Sequence, residues 1–381
     1  MSTKFAAFVA GSLRSERFTL VDVGCSGGID SVWRVFGDRL RAVGFDASVR
    51  ECERLAGEEA NPDVRYIAAF VDVAPDHPFA RRSDPQREST LNFEAQRLYS
   101  RSSAAWAMEI RSAHLAAAPL HEQLQHNAWG LTELADPARA VDAARLLEEI
   151  GYADVDVLKI DIDGPDFRVL NSFDGLFDKL GLLAARLEVN FYGGAGETLH
   201  TFHNTDRFMR GQGYELVALE NRVYSMRALP SRFAITMPAQ TERGRPFQAD
   251  ASYARDPVRG DMKDLAASLS VEKLGKLAAI YSIWDQPDSA AEILLAFRER
   301  MAAMFDIDHA LDLLAAQMQD DREDALPYRD YMALFATDSP AFYPPPPKPP
   351  PPPPPPVTLR RRLAAARRAF DDPNGAFPPR E

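Results

Sequence analysis

An apolar run that breaks into a glycine turn constrains the fold of this chain more than any other feature. Residues 18–31 read FTLVDVGCSGGIDS, in which a stretch typical of a buried strand leads into Gly24, Gly27 and Gly28. A strand that ends in such a turn brings backbone N–H groups close to a ligand at the start of a helix. The sequence therefore indicates either a nucleotide-type cofactor loop or a tight structural turn.

Short β-branched segments alternate with helical patterns through the first part of the chain. The predicted strands are FTLVDVG, RAVGFDA, VRYIAAFVDV, DVDVLKIDID and AARLEVNF, and they are apolar almost throughout. Strands of this kind are covered on both faces. GYELVALENRVYSMR predicts two further strands around a turn at Glu220 and Asn221. The pattern predicts an α/β fold with helices on both faces of the sheet.

Changes in composition predict how the chain is organised. We predict one α/β domain over residues 1–250, in which the polar insertion 79–130 forms a lid or substrate loop. Helical patterns predict an extension over 251–338. Segment 339–381 contains PPPPKPPPPPPPP and then five arginines opposite apolar residues at helical spacing. This composition predicts a disordered, Pro-rich tail with a basic amphipathic end.

Charge and cysteine content restrict the expected partners and compartment. The formal net charge is −12, so the chain has no general attraction for phosphate backbones, and we expect no nucleic-acid partner. Its two cysteines do not make a disulfide framework, and no apolar run has the length of a membrane-spanning helix. We expect a cytoplasmic location and no cleaved signal peptide.

Two acidic residues favour a cofactor role for the glycine loop. The loop follows the pattern D-x-G-x-S-x-G, carried by Asp22, Gly24, Ser26 and Gly28, and not the G-x-G-x-x-G of nicotinamide-binding folds. Asp46 follows at the end of the second predicted strand, where a carboxylate can bind both hydroxyls of a ribose. The structural alternative is a glycine turn whose aspartate is bonded to backbone amides.

The fourth and fifth predicted strands carry charged residues towards the carboxyl edge of the sheet, beyond which ligands of open α/β sheets bind. Lys159, Asp161 and Asp163 alternate along the fourth strand and therefore share one face. Glu188 lies on the fifth strand. If the two strands are neighbours, Lys159 and Glu188 could form a buried structural ion pair, whereas we expect Asp161 to act on a ligand.

Four of these segments, VDVGCSGG, GFDAS, DVLKIDIDGPDFRVLNSF and LEVNFYGG, together resemble the FkbM family of S-adenosylmethionine-dependent methyltransferases. The resemblance covers about residues 18–230 and is most specific at the fourth strand, where the family typically shows K-I-D-V-E-G-x-E-x-x-V-L. Asp163 and Asp166 stand where glutamates are usual, and Cys25 and Ser26 replace an Ala–Asn pair. The resemblance implies a Rossmann-like methyltransferase sheet.

The resemblance also implies a role for each candidate residue. The residues that would hold S-adenosylmethionine are Asp22, Gly24, Ser26, Gly28, Asp46 and Asp72. Within this set Asp22 would lie near the amino group, Asp46 on the ribose and Asp72 near the adenine. The residues that would face a small-molecule or glycan acceptor are Lys159, Asp161, Asp163 and Glu188.

The implied reaction is O-methylation of a hydroxyl on a sugar, polyketide or other small metabolite. A carboxylate would accept the hydroxyl proton, and alignment of the reacting atoms would supply most of the rate. Clustered carboxylates could also hold Mg²⁺, which this reaction does not require.

Two alternatives to this function remain open. The proline- and arginine-rich tail could recruit a protein or an anionic surface, which leaves a catalytically silent scaffold as a second hypothesis. A nicotinamide oxidoreductase is disfavoured because the G-x-G-x-x-G motif is missing.

Several other side chains could contribute to a site. His200 and His203 are interpreted as a helix start or a pocket rim. The insertion offers two possible bases and two possible pocket walls, namely His121, His126, Trp106 and Trp129.

Overall fold

The computed structural model describes residues 4–83, 97–116 and 141–344, with only the backbone described for 112–116 and 144. The chain divides into two compact units, residues 1–331 and 332–381. Every strand described below belongs to the first unit. Among the described residues, no helix is long and apolar enough to cross a membrane.

The described residues of the first unit form a seven-stranded sheet with the order β3-β2-β1-β4-β5-β7-β6. Its strands are β1 (Phe18–Val23), β2 (Leu40–Asp46), β3 (Val64–Ala68), β4 (Val157–Ile160), β5 (Ala184–Asn190), β6 (Glu215–Tyr224) and β7 (Arg245–Ala254). Neighbours from β3 to β5 are parallel, whereas β7 is antiparallel to both β5 and β6. The predicted α/β fold is confirmed. In this order the crevice lies where β1 and β4 meet, because the connections leave β1 towards one side and β4 towards the other.

The described helices belong to the first unit, except that the last one runs past residue 331 into the second. They are α1 (Lys4–Ser12), α2 (Val49–Glu58), α3 (Pro78–Arg82), α4 (Ser103–Ala116), α5 (Ala143–Glu149), α6 (Asp166–Asn171), α7 (Phe202–Gly211), α8 (Lys263–Ser268), α9 (Val271–Ile283), α10 (Pro287–Ala296), α11 (Arg298–Met301), α12 (Ile307–Met318) and α13 (Tyr328–Thr337). Two 3₁₀ segments span Ser31–Arg39 and Ser339–Phe342.

Both faces of the sheet are covered, and β1 shows how the sequence produces this. Its six residues are all buried. Phe18 and Leu20 belong to a core shared with α1 and the C-terminal helices, whereas Val21 and Val23 belong to a core shared with α5 and α6. The continuous apolar run is therefore the signature of a strand packed between two helical layers.

The C-terminal helices form one of these layers, and a buried ionic network fixes them to the start of the sheet. Asp156 is fully buried and accepts a hydrogen bond from the Thr19 N–H at 2.8 Å. Lys273 and Lys276 of α9 reach its carboxylate at 2.7 and 2.9 Å. Glu16 lies 2.8 Å from the Lys276 Nζ. The helices predicted as an extension therefore complete the core.

Three sequence expectations about element bounds are wrong. The third strand ends at Ala68, four residues before Asp72, and beyond it only a single bridge forms, between Val71 and Val141. No turn interrupts residues 215–224, which form the single strand β6 along the whole of its antiparallel partner β7. The predicted boundary at residue 250 falls inside β7, so the sheet continues to Ala254.

Candidate active site

The glycine loop passes directly over the end of β4. Gly24 has φ +89°, and a Cβ added there would lie 1.8 Å from the carbonyl oxygen of Asp161. The Gly24 and Cys25 N–H groups both donate to the carbonyl of Phe45, at 2.8 and 3.2 Å. Glycine is required at this position because the backbones of β1 and β4 approach too closely for any side chain.

The far side of the loop is open. Gly27 has φ +85°, and a Cβ added there would meet nothing within 4 Å. Its N–H donates to Glu51 of α2 at 3.0 Å, and Ser26 beside it is exposed. A loop of positive-φ glycines with open space above it and a helix behind it fits the methionine end of a nucleotide-type cofactor.

Sequence reasoning did not identify Glu51 as part of the loop, although a signal for it was present. Ser48 caps α2 by accepting from the Glu51 N–H at 3.2 Å, which is one half of the S-x-x-E capping box. The Glu51 side chain does not complete that box, because it accepts from Gly27 instead. The same helix start therefore supports the cofactor loop.

Asp46 lies at the end of β2, next to this loop. One of its carboxylate oxygens accepts from the Ser48 N–H at 2.7 Å, which orients the side chain at the carboxyl edge of the sheet. The position agrees with a carboxylate that binds ribose hydroxyls. Its role remains a prediction.

Asp22 and Lys159 form an ion pair beneath the loop. The Lys159 Nζ lies 3.1 Å from the Asp22 carboxylate, which is buried. Burial raises the pKa of Asp22, and the Lys159 charge opposes this effect. The expected pair between Lys159 and Glu188 is wrong. Although β4 and β5 are neighbours, their register sets Lys159 opposite Arg186 and beside Asp22.

Asp72 is also engaged by a side chain of the protein. The Arg168 Nε of α6 donates to its carboxylate at 2.5 Å, and the Val73 N–H donates at 2.6 Å. This pairing turns the residue towards α6. A role near the adenine remains a prediction.

Three carboxylates gather beyond β4 and β5. Oxygens of Asp161, Asp163 and Glu188 all lie within 4.8 Å of one another. Asp163 has φ +52° and is exposed, whereas Glu188 is 2% exposed. Burial, followed by the charges of Asp166 and Asp161, raises the pKa of Glu188 to about 8. The structure thus brings the three predicted acceptor-side acids together and separates Lys159 from them.

Arg222 of β6 supplies the positive charge of this cluster. Its Nη1 lies 2.9 Å from Glu188, and its Nη2 lies 3.8 Å from Asp161 and 2.5 Å from Asp250 of β7. This arginine was not predicted as a site residue, because the expected turn at residues 220–221 placed it at the start of a separate strand. If residues 215–224 are read as one strand, Arg222 lies two residues after Glu220 and therefore on the same face of the sheet.

The turn after β4 is held by a second buried acid. Asp166 accepts from the Ile162 and Gly164 N–H groups at 2.9 and 3.2 Å. His200 has ring nitrogens 2.9 Å from the carbonyl oxygens of Gly164 and Glu188. It precedes α7 and ties the β4 and β5 ends together, which agrees with a residue at the helix start.

An aromatic wall borders the acidic cluster. Tyr192, Tyr224, Tyr99 and Phe247 pack with ring centroids 4.5–6.4 Å apart. Burial, followed by the charge of Glu188, raises the pKa of Tyr192. These rings were not predicted. Trp106 is 44% exposed on α4, whereas the insertion residues His121, His126 and Trp129 lie outside the described part of the chain.

The carboxylate cluster has the hard oxygen ligands that Mg²⁺ prefers. However, the Arg222 guanidinium already lies against Glu188 and near Asp161. A bound Mg²⁺ would have to displace that guanidinium, so the cluster in this arrangement does not fit a metal ion.

A strand order of 3-2-1-4-5-7-6 with an antiparallel β7, together with a glycine loop over β4, defines a Rossmann-like sheet of the kind found in S-adenosylmethionine-dependent methyltransferases. Residues 92–216 match the family model described as "Methyltransferase FkbM domain". This match confirms, over residues 92–216, the resemblance seen in the sequence. The match begins after Gly24 and Asp46, so the predicted cofactor residues before it do not rest on it. No curated protein matches the chain.

Solved structures with a similar fold include three methyltransferases. A TehB-like SAM-dependent methyltransferase from Corynebacterium glutamicum is 10% identical, over 66% of this chain and 87% of that chain, with a TM-score of 0.25. Sp1610 from Streptococcus pneumoniae, a putative tRNA (m1A22) methyltransferase, is 11% identical over 79% and 100%, with a TM-score of 0.27. A putative methyltransferase in complex with the Trm112 activator of Haloferax volcanii is 12% identical over 66% and 88%, with a TM-score of 0.27.

The fold class rests on the strand order and not on these similarities. The comparisons give no support to the expectation that nucleic acid is excluded as a partner.

Proposed function

We propose that this protein transfers the methyl group of S-adenosylmethionine to a hydroxyl of a sugar, polyketide or other small metabolite. The observation that carries the proposal is the carboxylate cluster beyond β4 and β5, in which oxygens of Asp161, Asp163 and Glu188 lie within 4.8 Å of one another. Burial raises the pKa of Glu188 to about 8, which is close to the pH at which a general base works best. An ordinary aspartate or glutamate is a weaker base by several pKa units.

The cofactor would lie along the carboxyl edge, held by the glycine loop and by Asp46. Bound S-adenosylmethionine supplies a methyl carbon made electrophilic by its sulfonium. The backbone of Gly24 fixes the loop against β4, so the loop and the acidic cluster keep a constant spacing. That spacing would align the acceptor oxygen with the methyl carbon, which is the main source of rate in such a transfer.

On the acceptor side, Glu188 would accept the proton that the hydroxyl loses as its oxygen attacks. Arg222 holds this carboxylate at 2.9 Å and would compensate the negative charge of the surrounding acids. Asp161 and Asp163 would bind neighbouring hydroxyls of the acceptor. The aromatic wall of Tyr192 and Phe247 offers the apolar face of a sugar or polyketide a packing surface.

The test begins with calorimetric titration of the full chain with S-adenosylmethionine and, in parallel, with NADH. We expect selective binding of S-adenosylmethionine and a loss of about tenfold or more in Asp46→Ala, because two charge-assisted hydrogen bonds to the ribose disappear. Asp76→Ala, an exposed change in the loop beyond β3, is the control and should bind as wild type. Binding of NADH alone would refute the cofactor assignment.

A second measurement separates binding from chemistry. With a panel of hydroxyl acceptors, Glu188→Gln should retain S-adenosylmethionine affinity and lose at least about 10²-fold in turnover, which is the usual contribution of a general base. Wild-type kcat/KM should rise with pH up to about 8 and then level off, since Glu188 must be ionised to accept a proton. A Glu188→Gln variant with wild-type turnover would remove its assigned role.

A further inference from the structure

The segment 226–244, here called the arginine hairpin, leaves the sheet at the same edge as the acidic cluster. It follows the end of β6 at Tyr224 and returns into β7 at Arg245. Its base is firmly held, since the Thr241 N–H donates to the Val223 carbonyl at 2.8 Å and the Ser225 N–H donates to the Thr241 Oγ1 at 2.8 Å. The base therefore presents the rest of the hairpin in a defined orientation.

Gly244 shows how tight this base is. A Cβ added there would lie 2.3–2.4 Å from the backbone of Tyr224. The outward part is ordered as a ribbon as well, with a bridge between Phe233 and Thr241 and a hydrogen bond from the Glu242 N–H to the Arg232 carbonyl at 2.9 Å.

The arginine hairpin exposes large aliphatic side chains, one near its base and two farther along it. Leu229 is 84% exposed, Met237 51% and Ile235 45%. Single exposed apolar residues are ordinary, but several on one protruding segment indicate an interaction surface.

The same segment and its first returning residue are basic. Residues 226–245 contain four exposed arginines and a single acid, Glu242, so their net charge is four minus one, or +3. The arginines are Arg227, Arg232, Arg243 and Arg245. No ion pair links any of the four to another residue in the described part of the chain. This charge contrasts with −12 for the whole chain. A cavity of about 430 Å³ at the base is lined by Leu229, Arg243 and Arg245, among others.

We propose that the arginine hairpin seats the protein on a membrane surface that carries anionic lipid headgroups. The arginines would pair with headgroup phosphates, and the aliphatic side chains would enter the boundary between headgroups and acyl chains. Charge complementarity selects an anionic surface. The aliphatic character of the exposed apolar side chains selects lipid over RNA, because single-stranded nucleic acid stacks on aromatic rings.

This proposal does not depend on methyl transfer, because membrane binding uses none of the residues placed in the catalytic or cofactor site. The carboxyl edge of the sheet would nevertheless lie beside the surface, since β6 also carries Arg222 of the acidic cluster. Attachment would bring that cluster within reach of acceptors exposed at the membrane.

The experiment is co-sedimentation of the full chain with vesicles of phosphatidylcholine alone and with vesicles containing phosphatidylglycerol. One variant, Leu229→Ser/Met237→Ser, removes the aliphatic contacts, and a second, Arg243→Gln/Arg245→Gln, removes two charges. Leu295→Ser is the matched control, since Leu295 of α10 is 45% exposed and lies outside the hairpin. The basic tail is identical in every protein, so differences between variants report the hairpin.

Wild type should bind the anionic vesicles and lose binding as salt is raised. The arginine variant should bind about 25-fold more weakly, at about fivefold for each arginine. The aliphatic variant should lose on the order of tenfold, and the control should bind as wild type. Thermal unfolding and S-adenosylmethionine titration check that each variant is folded.

Three results would overturn the proposal. The first is wild type that ignores anionic vesicles at low salt. The second is hairpin variants that bind like the control, which would assign any vesicle binding to another part of the chain. The third is wild type that binds single-stranded polyuridylate in preference to the vesicles and loses that binding in the arginine variant, which would make the hairpin a nucleic-acid surface.

Discussion

Replacing Glu188 by glutamine should make the protein more stable than wild type at alkaline pH. In the folded state the pKa of Glu188 is raised from an ordinary value of 4.5 to about 8, by burial and then by Asp166 and Asp161. A carboxylate with a raised pKa holds its proton more tightly when folded than when unfolded. Its stabilising contribution is therefore complete below pH 4.5 and is lost as pH rises through about 8.

The magnitude follows from the two pKa values. A difference of about 3.5, at about 1.36 kcal/mol for each pKa unit, corresponds to about 5 kcal/mol over the whole range. Between pH 6 and pH 9, where the protein is safe from acid unfolding, about 3 kcal/mol of this should be lost. Glutamine has no proton to lose, so Glu188→Gln should gain about 3 kcal/mol relative to wild type over that interval.

The assay is urea unfolding of both proteins at pH 6, 7, 8 and 9. The informative quantity is the change with pH in their difference in free energy of unfolding, because any cost of the substitution that does not depend on pH cancels. Glu220→Gln is a matched control on β6, one strand beyond β7, since the Glu220 side chain is half exposed and pairs with Arg186. A difference between Glu188→Gln and wild type that stays constant from pH 6 to pH 9 would refute the reasoning.

Three further predictions concern the loop, the core and the metal. Gly24→Ala should destabilise the fold by at least about 3 kcal/mol and abolish S-adenosylmethionine binding, because the new Cβ would collide with the Asp161 backbone. Gly27→Ala meets only the strain of a positive φ and should cost about 1–2 kcal/mol. Urea unfolding and calorimetry compare the two variants, and equal losses of stability would contradict the close approach at Gly24. Lys276→Met should cost about 3 kcal/mol in urea unfolding because it removes a counter-ion from the buried Asp156, and a cost as small as that of the exposed change Lys179→Met would argue against the network. Treatment with EDTA should leave turnover unchanged, because Arg222 already supplies the positive charge of the carboxylate cluster; activity restored by Mg²⁺ after chelation would show otherwise.

The sheet was predictable because each of its central strands is a short apolar run that can be recognised without knowing which strands pair with it. Strands such as β1 are apolar on both faces, and the loop after it contains glycines at positions where φ is positive. The meeting of Asp161, Asp163 and Glu188 was also predictable, because the carboxyl ends of neighbouring parallel strands lie at one edge of the sheet. Alternation along the strand was not the reason, since β4 ends at Ile160 and Asp163 lies in the turn that follows it.

The counter-ions were not predictable in the same way. Lys159 pairs with Asp22 and not with Glu188 because of the register between parallel strands, and no local pattern encodes that register. Arg222 reaches the acids diagonally across β7, so its role required knowing that a later strand is inserted between β5 and β6. Long-range pairing therefore decided which charges meet, while local sequence decided which charges are present.

The buried network around Asp156 has a consequence for how the protein emerges from the ribosome. Lys273 and Lys276 follow Asp156 by 117 and 120 residues, so translation places a buried carboxylate in the nascent sheet long before its cations exist. Until α9 leaves the exit tunnel, the Asp156 carboxylate must stay hydrated, so the residues at the start of β4 must remain accessible to water. Residues 92–216, which match the family domain, contain Asp156 but neither of its lysines, so that stretch alone cannot compensate the carboxylate.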